Sequence, residues 1–586
     1  MPEAASGDTP SLKVENVSKR FSAGKVEVHA LDDVSFDIRP GSVTGLIGPD
    51  AAGKTTLIRT IAGLLVPDKG RITVLDIDVA ADPLKVQQTI GYMPQRFGLY
   101  QELTVRENLD LYADLQGVPV SDRKSRYEEL MHMTGLGRFT RRFARDLSGG
   151  MKQKLGLACT LVRPPRMLLL DEPTVGVDPV SRRELWQIIY RLVEEEGITV
   201  LLSTAYLDEA ERCDRVVLMH QGKLLGQGPP AQFSREVAGR SFQVTAESMN
   251  KRVLQTRLAD ADGVVDAIIQ KNGVRLVMEK AAPPEIDTIL AEENDATVEE
   301  VTSRFEDAFI VRLRERIGPS GRSRIDTGKT VDGKEGEEII AVDNVKRRFG
   351  DFYAVKGISF AVRRGEVFGL LGANGAGKST TFRMLCGLLP PSEGSLQVAG
   401  RDLLRAAASA RSRIGYMAQK FSLYGDLSVM ENLRFFSSVY GLQRKKQKDR
   451  IDWAVNEFEL EEYANAPARN LPLGFKQRLA MAAALMHHPE ILFLDEPTSG
   501  VDPLARREFW HRINSLSEQK VTVLVTTHFM EEAEYCDRLV MMAEGDILAQ
   551  GTPEEMKDRF RTKETPEPSM EDAFIGLVRA DEEAKA

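Results

Sequence analysis

Cysteine, tryptophan and long apolar runs are all scarce in this chain of 586 residues, which has four cysteines and three tryptophans. Cys159, Cys213, Cys386 and Cys536 lie far apart and form no CxxC pair. That spacing argues against zinc sites and disulfides, and for core packing in a reduced compartment. No uninterrupted apolar run approaches the ~18 residues needed to cross a bilayer; "VTVLVTT" is typical of the longest. The opening "MPEAASGDTPSLKVENVSKR" has no apolar signal core. A basic surplus is also missing: 78 Lys and Arg face 87 Asp and Glu, a net charge of −9, which argues against a dedicated nucleic-acid surface. These absences lead us to expect a cytosolic chain with no nucleic-acid partner, whose membrane role comes through another protein.

What is present is a repeat. Lys54 and Lys378 lie 324 residues apart, and so do Gln95 and Gln419, Asp171 and Asp495, and Asp178 and Asp502. A constant offset over more than a hundred residues means two copies of one fold nearly without insertions. Each copy alternates β-rich runs ("GSVTGLIG", "RMLLLDEP", "ITVLLST") with helical patterns, which indicates a largely parallel α/β core. The copies part at their ends. After "GQGPP" the first continues through "SFQVTAES", the helical "KRVLQTRLADA" and "VVDAIIQKNGVRLVMEK", which reads as a hairpin turning at Asn272-Gly273. The second passes from "GTPEEM" almost directly to "MEDAFIGLV", matching "FEDAFIVRL" of the first. We therefore expect a first domain over 1–240, a small α+β unit ending in a helix over 241–315, a flexible linker over 316–337, a second domain over 338–562, and a C-terminal helix and tail over 563–586. The linker assignment rests on five glycines and little apolar content in "RIGPSGRSRIDTGKTVDGKEGE".

Two strings of the form GxxxxGK[ST], "GPDAAGKTT" and "GANGAGKST", each follow an apolar strand and open a helix. In that context backbone N–H groups cradle phosphates, the lysine reaches the β- and γ-phosphates, and the hydroxyl faces Mg²⁺. The candidate nucleotide-binding residues are Gly48, Gly53, Lys54, Thr55 and Thr56 in the first copy. In the second they are Gly372, Gly375, Gly377, Lys378, Ser379 and Thr380. "MLLLDEP" and "ILFLDEP" end buried strands in two acids, at the sheet edge where α/β ligands bind. Asp171 and Asp495 are expected to hold Mg²⁺ together with Thr55 and Ser379, and Glu172 and Glu496 to act as general bases. In "LSGGMKQKL", Ser148 is expected to cap a helix, with Gly149 and Gly150 letting backbone approach a phosphate.

With these strings in hand, both halves resemble ATP-binding-cassette ATPases over nearly the whole chain. The tandem arrangement, the inserted unit, the "EDAFI" helices and "LPLGFKQRL" resemble the tandem ATPase subunit of bacterial ABC-2-type multidrug exporters. The resemblance implies ATP and Mg²⁺ as ligands, two separate integral membrane permease subunits as partners, and a place on the cytoplasmic side of the inner membrane. It further implies that Phe21 and Phe349 stack on adenine, and that Gln95 and Gln419 sense Mg²⁺ and the attacking water. By the same resemblance, Asp178 and Asp502 lie in loops that communicate between sites, and His528 contacts the γ-phosphate. The segments "RFGLYQELTVRENL" and "KFSLYGDLSVMENL" are implied to grip the membrane subunits, core packing being an equal alternative for side chains such as Leu103 and Leu427.

Cassettes of this family pair head to tail, and that pairing sorts the departures from pattern. One site takes the second P-loop with Ser148, Gly149 and Gly150, and lacks nothing. The other takes the first P-loop with "LPLGFKQRL", where Pro472 and Leu473 stand for Ser148 and Gly149; it also has Ala205 where His528 stands and Asp50 where Asn374 stands. The expectation is one consensus and one degenerate ATP site. A twin-cassette translation factor is the main alternative, but it would join its cassettes by a basic helical arm and keep both signatures. A DNA-repair ATPase of the superfamily would need zinc-binding cysteine pairs, which are absent.

Overall fold

A computed structural model describes residues 9–23, 26–95, 98–290, 295–318, 324–331, 334, 336–419, 422–563 and 565–585. The start of each expected partner-gripping segment, at 96–97 and 420–421, lies outside the described residues. The chain divides into two units: one comprises the chain to Ser241 with Thr302–Ile317, the other Phe242–Val301 with Gly318–Ala586.

In the first unit a six-stranded sheet runs in the order Lys223–Gly228, Arg215–His220, Val43–Ile47, Thr199–Thr204, Met167–Asp171, Ile90–Met93. All neighbours are parallel except the first pair. Both faces are covered, so the central strands are buried along their length rather than alternating; Val43–Ile47 and Met167–Asp171 are buried at every position. A four-stranded antiparallel sheet, led by the long pair Leu12–Ala23 and Val26–Ile38, packs on one face. Helices Val105–Leu115, Val120–Thr134 and Gly149–Thr160 form a helical subdomain. Helix Phe305–Ile317 returns to this unit, with Phe305 against Phe233 at 5.7 Å and Phe309 at 6.5 Å.

The second unit repeats this architecture. Its six-stranded sheet is ordered Ile414–Met417, Ile491–Asp495, Thr522–Thr527, Val367–Gly372, Arg538–Ala543, Asp546–Gly551. Its helical subdomain comprises Val429–Val439, Arg444–Glu457 and Leu473–Ala484, and helix Met570–Lys585 buries Ala573 and Phe574 as the counterpart of Phe305–Ile317. A third sheet, ordered Val264–Gln270, Gly273–Met278, Ser241–Thr245, Thr297–Glu300, carries helix Lys251–Ala259 and its own small core.

Three expectations are corrected. The α+β region over 241–315 is not one body: 242–301 group with the second cassette, while the terminal helix joins the first. The hairpin pairs Gln270 with Gly273, so its central residues are Lys271, at φ 54°, and Asn272. Gly273 instead opens the strand, where a Cβ would meet the Val244 carbonyl oxygen at 2.1 Å. The centre of the expected linker is not free. Ile325 is buried, its N–H donates to Ser515 Oγ at 3.0 Å, and Trp453 Nε1 donates to the Asp326 carbonyl at 2.7 Å. Composition missed this because one isoleucine and a few backbone groups are enough to pin an otherwise polar segment.

Among the described residues no helix is long and apolar enough to cross a membrane. All four cysteines are buried, and burial raises their thiol pKa values, which keeps them unreactive. Because Phe305 anchors the returning helix, Phe305→Ala is expected to cost about 3–5 kcal/mol, read as faster hydrogen exchange across 305–317.

Candidate functional site

Each P-loop is built the same way. Gly53 and Gly377 sit at φ 102° and 99°, where a Cβ would strike the carbonyl oxygens of Ala30 and Ala354, so only glycine fits. Helices Lys54–Ile61 and Lys378–Leu385 begin immediately after, carrying Thr55, Thr56, Ser379 and Thr380 in their first turns. Lys54 Nζ donates to the Gly48 and Pro49 carbonyls at 2.7 and 3.1 Å; Lys378 Nζ does the same to Gly372 and Ala373. Nζ lies 3.5 Å from Glu172 in the first copy and 3.8 Å from Glu496 in the second. One departure escaped the sequence comparison. Gly375 sits at φ 87°, and its counterpart Ala51 is held at φ 61°, a left-handed conformation that costs an L-residue roughly 1 kcal/mol.

The acid pairs stand at the sheet's carboxyl edge. Ser203 Oγ donates to Asp171 at 2.7 Å and Thr526 Oγ1 to Asp495 at 2.6 Å. The same two hydroxyls accept the N–H of Glu172 and Glu496, each at 2.9 Å. Both glutamates are thereby held at positive φ, 52° and 47°. This strain is preserved identically in both copies, and strain of this kind gathers at functional sites. Gln95 Nε2 donates to Glu172 at 2.5 Å and Gln419 Nε2 to Glu496 at 2.8 Å. Thr55 Oγ1 lies 3.1 Å from Asp171, and Ser379 Oγ 3.4 Å from Asp495. Among the described residues the second oxygen of Asp171 is buried without a hydrogen-bond partner, which suits a carboxylate that completes its coordination with a cation. Among the described residues no cluster of three or more His, Cys, Asp or Glu could hold a metal. One carboxylate and one hydroxyl fit Mg²⁺, which keeps waters and takes phosphate oxygens.

Electrostatics separate the copies. His528 Nδ1 lies 3.2 Å from Glu496 Oε2, both groups being buried; the first copy offers only the methyl of Ala205. Burial raises the Glu496 pKa, but His528, Lys378 and Gln419 outweigh it and hold the carboxyl below the ordinary range. Asp495 moves the other way: burial and the neighbouring Glu496 charge raise it against the pull of Thr526.

At the signature helices, Ser148 caps Gly149–Thr160 by accepting from Met151 N at 3.3 Å, and its O–H proton stays available to donate. Gly150 is obligatory, because a Cβ there would meet Ser181 Oγ at 2.3 Å. Helix Leu473–Ala484 starts at the same point, with Pro472 at φ −54° against −65° for Ser148. Proline fits the cap backbone but provides neither hydroxyl nor N–H. Both signature helices are strapped by ions, the first through Lys154 with Glu184 and the second through a larger set. Arg478 reaches Glu459 at 2.6 Å and Glu508 at 2.5 Å, and the buried Arg512 lies 3.7 Å from Glu459. Burial lowers the Arg512 pKa to about 10. Glu459 adopts φ 52°, where the first copy has Gly135 at φ 67°, and Arg512 replaces Ile188.

Asp178 and Asp502 cap helices Pro179–Glu194 and Pro503–Glu518, accepting Ser181 N at 3.0 Å and Leu504 N at 3.0 Å respectively. Phe21 and Phe349 are 41% and 48% exposed at strand ends, available to a flat ligand. Sequence reading missed Glu209. This buried carboxylate accepts from Thr174 Oγ1, Thr204 Oγ1 and Trp186 Nε1 at 3.0, 2.7 and 3.2 Å, tying the loop after Glu172 to the strand before Ala205. Glu532 takes Thr498 Oγ1 in the second copy. The signal available was the match of "LDEAE" with "MEEAE".

A family model described as ABC transporter matches residues 31–175 and 355–499. The chain is 51% identical over 570 residues to "Probable multidrug ABC transporter ATP-binding protein YbhF" of Escherichia coli (strain K12), covering 97% of each. It is 44% identical over 219 residues to the Nod factor export ATP-binding protein I of Ralstonia nicotianae, 37% of this chain and 68% of that one. The linearmycin resistance ATP-binding protein LnrL of Bacillus subtilis (strain 168) is 40% identical over 223 residues, 38% and 72%. A solved dimeric ATP-binding cassette in a post-hydrolysis state with ADP and Pi is 27% identical at a TM-score of 0.35, covering 37% of this chain and 98% of that one.

His528 is one of the groups that keep Glu496 ionised, so His528→Ala is expected to raise the Glu496 pKa. The acid limb of the pH profile of ATP turnover should then move to higher pH; an unmoved limb would show that Glu496 does not govern it.

Proposed function

Because the chain belongs to the ABC transporter family, as two ATP-hydrolysing cassettes in one polypeptide, we propose that it drives a bacterial ABC-2-type exporter of drug-like or xenobiotic molecules. In this reading it is held at the cytoplasmic face of the inner membrane by two separate permease subunits. The export functions of its relatives support it, as does the absence of a membrane-spanning helix among the described residues.

The proposal includes a division of labour. The second P-loop works with the first signature as the consensus site. There Lys378 binds the β- and γ-phosphates, Ser379 and Asp495 hold Mg²⁺, which would neutralise phosphate charge, and Gln419 orients water. Glu496 draws the water's proton and His528 steadies the γ-phosphate. Phe349 stacks on adenine, and Ser148 with the N–H groups of Gly149 and Gly150 closes on the γ-phosphate. The first P-loop, with Phe21, Lys54, Thr55, Gln95, Asp171 and Glu172, pairs with the proline-bearing signature and serves mainly to bind nucleotide. Asp178 and Asp502 link the two sites.

One observation carries the reading: Glu496 has a buried histidine at 3.2 Å, and Glu172 has an alanine. Losing a hydrogen bond to a charged group costs roughly 1.5–3 kcal/mol. Losing two, at the signature and at the histidine, costs on the order of 3–6 kcal/mol, or about two to four decades in rate. Lys378→Ala is therefore expected to abolish most ATP turnover, while Lys54→Ala leaves a substantial fraction. Equal losses in the two variants would refute the division.

A further inference from the structure

The α+β region of residues 242–301 follows the first cassette in sequence yet groups with the second. Three of its polar contacts reach helix Pro503–Glu518, which Asp502 caps. Asp266 pairs with Arg507, five residues into that helix, and both are more than nine-tenths buried. Asn514 Nδ2 donates to Gln255 Oε1 at 2.7 Å, each residue being 1% exposed. A further contact reaches the nucleotide-binding strand. Arg252 lies 2.6 Å from Asp537, whose same oxygen accepts the N–H of Val367 at 2.9 Å, and Val367 begins the strand that leads into the second P-loop.

The corresponding helix of the first cassette, Pro179–Glu194, carries a different residue at this point. Tyr190 stands where Asn514 stands, and its hydroxyl is satisfied inside its own cassette by the Arg212 carbonyl. A buried amide is costly unless paired, so Asn514 is written for Gln255. Asp537 and its counterpart Asp214 both hold the N–H of the P-loop strand, and among the described residues Asp537 alone is also engaged from outside the cassette fold.

We propose that residues 242–301 are a clamp dedicated to the second cassette. Asp266 and Gln255 act as positioning residues that set the helix after Asp502, and Arg252 acts through Asp537 on the base of the second P-loop strand. ATP turnover then depends on the clamp being seated, although no clamp residue touches nucleotide. The inference rests on ATP hydrolysis by this chain and not on the division between its two sites. Equal losses in Lys54→Ala and Lys378→Ala would leave it standing.

The experiment compares full-length Asp266→Ala, Gln255→Ala and Arg252→Gln with Asp266→Glu, reading kcat, the KM for ATP and hydrogen exchange across 503–518. The expected result is faster exchange in 503–518 and a fall in kcat of about fivefold with KM little changed. Asp266→Glu, which keeps the charge facing Arg507, should recover most of the kcat. Faster exchange with unchanged kcat would reduce the region to packing and overturn the inference, as would unchanged exchange. Should Asp266→Ala fail to fold, Gln255→Ala and Arg252→Gln carry the same test without removing the charge that faces Arg507.

Discussion

A single hydroxyl at the end of one β-strand organises each nucleotide pocket. Ser203 in one copy and Thr526 in the other donate to the first acid of the neighbouring strand and accept the N–H of the second. That double engagement turns the chain sharply, forcing Glu172 and Glu496 into left-handed backbone and aiming their carboxylates at the P-loop lysine and the glutamine. A freely rotating strand end would place two carboxylates anywhere on the rim. Here the hydroxyl sorts them into one kept near the threonine or serine of the P-loop helix and one facing the phosphate side. The parallel sheet behind them is what brings the two strands into register.

Around this shared junction the copies have diverged in side chains while keeping the backbone. Pro472 follows nearly the same dihedral path as Ser148, so the helix starts at the same point, while the capping hydroxyl and the backbone N–H disappear. Ala51 retains the left-handed turn that Gly375 makes without strain. In the second cassette the altered signature helix is also tied to its core by Arg478, Glu508, Arg512 and Glu459. Glu459 accepts a backbone strain that Gly135 avoids, which marks its carboxylate as the reason for its presence.

Much of the fold and the site was legible from residue order. The 324-residue offset exposed two α/β cassettes, and the P-loop lysines, acid pairs, glutamines and signature cap lie where their motifs indicated. These signals are local: a strand, a turn and a helix start within about ten residues carry their own geometry. Ala51 went unnoticed because alanine looks innocuous until its φ is known. Glu209 and Glu532 were missed because a glutamate in an acidic string reads as surface until it is found buried among hydroxyls.

Residue order by itself determined the repeat, the class of each cassette and where in each copy the departures from the shared motifs lie. Only the tertiary structure decided which cassette the inserted α+β region belongs to. Order along the chain places it after the first copy, whereas Asp266, Gln255 and Arg252 find their partners in the second. The physical reason is that motif chemistry is encoded over short stretches, but docking depends on pairs such as Asp266 with Arg507. Such pairs lie hundreds of residues apart, and each member alone resembles an ordinary solvated charge.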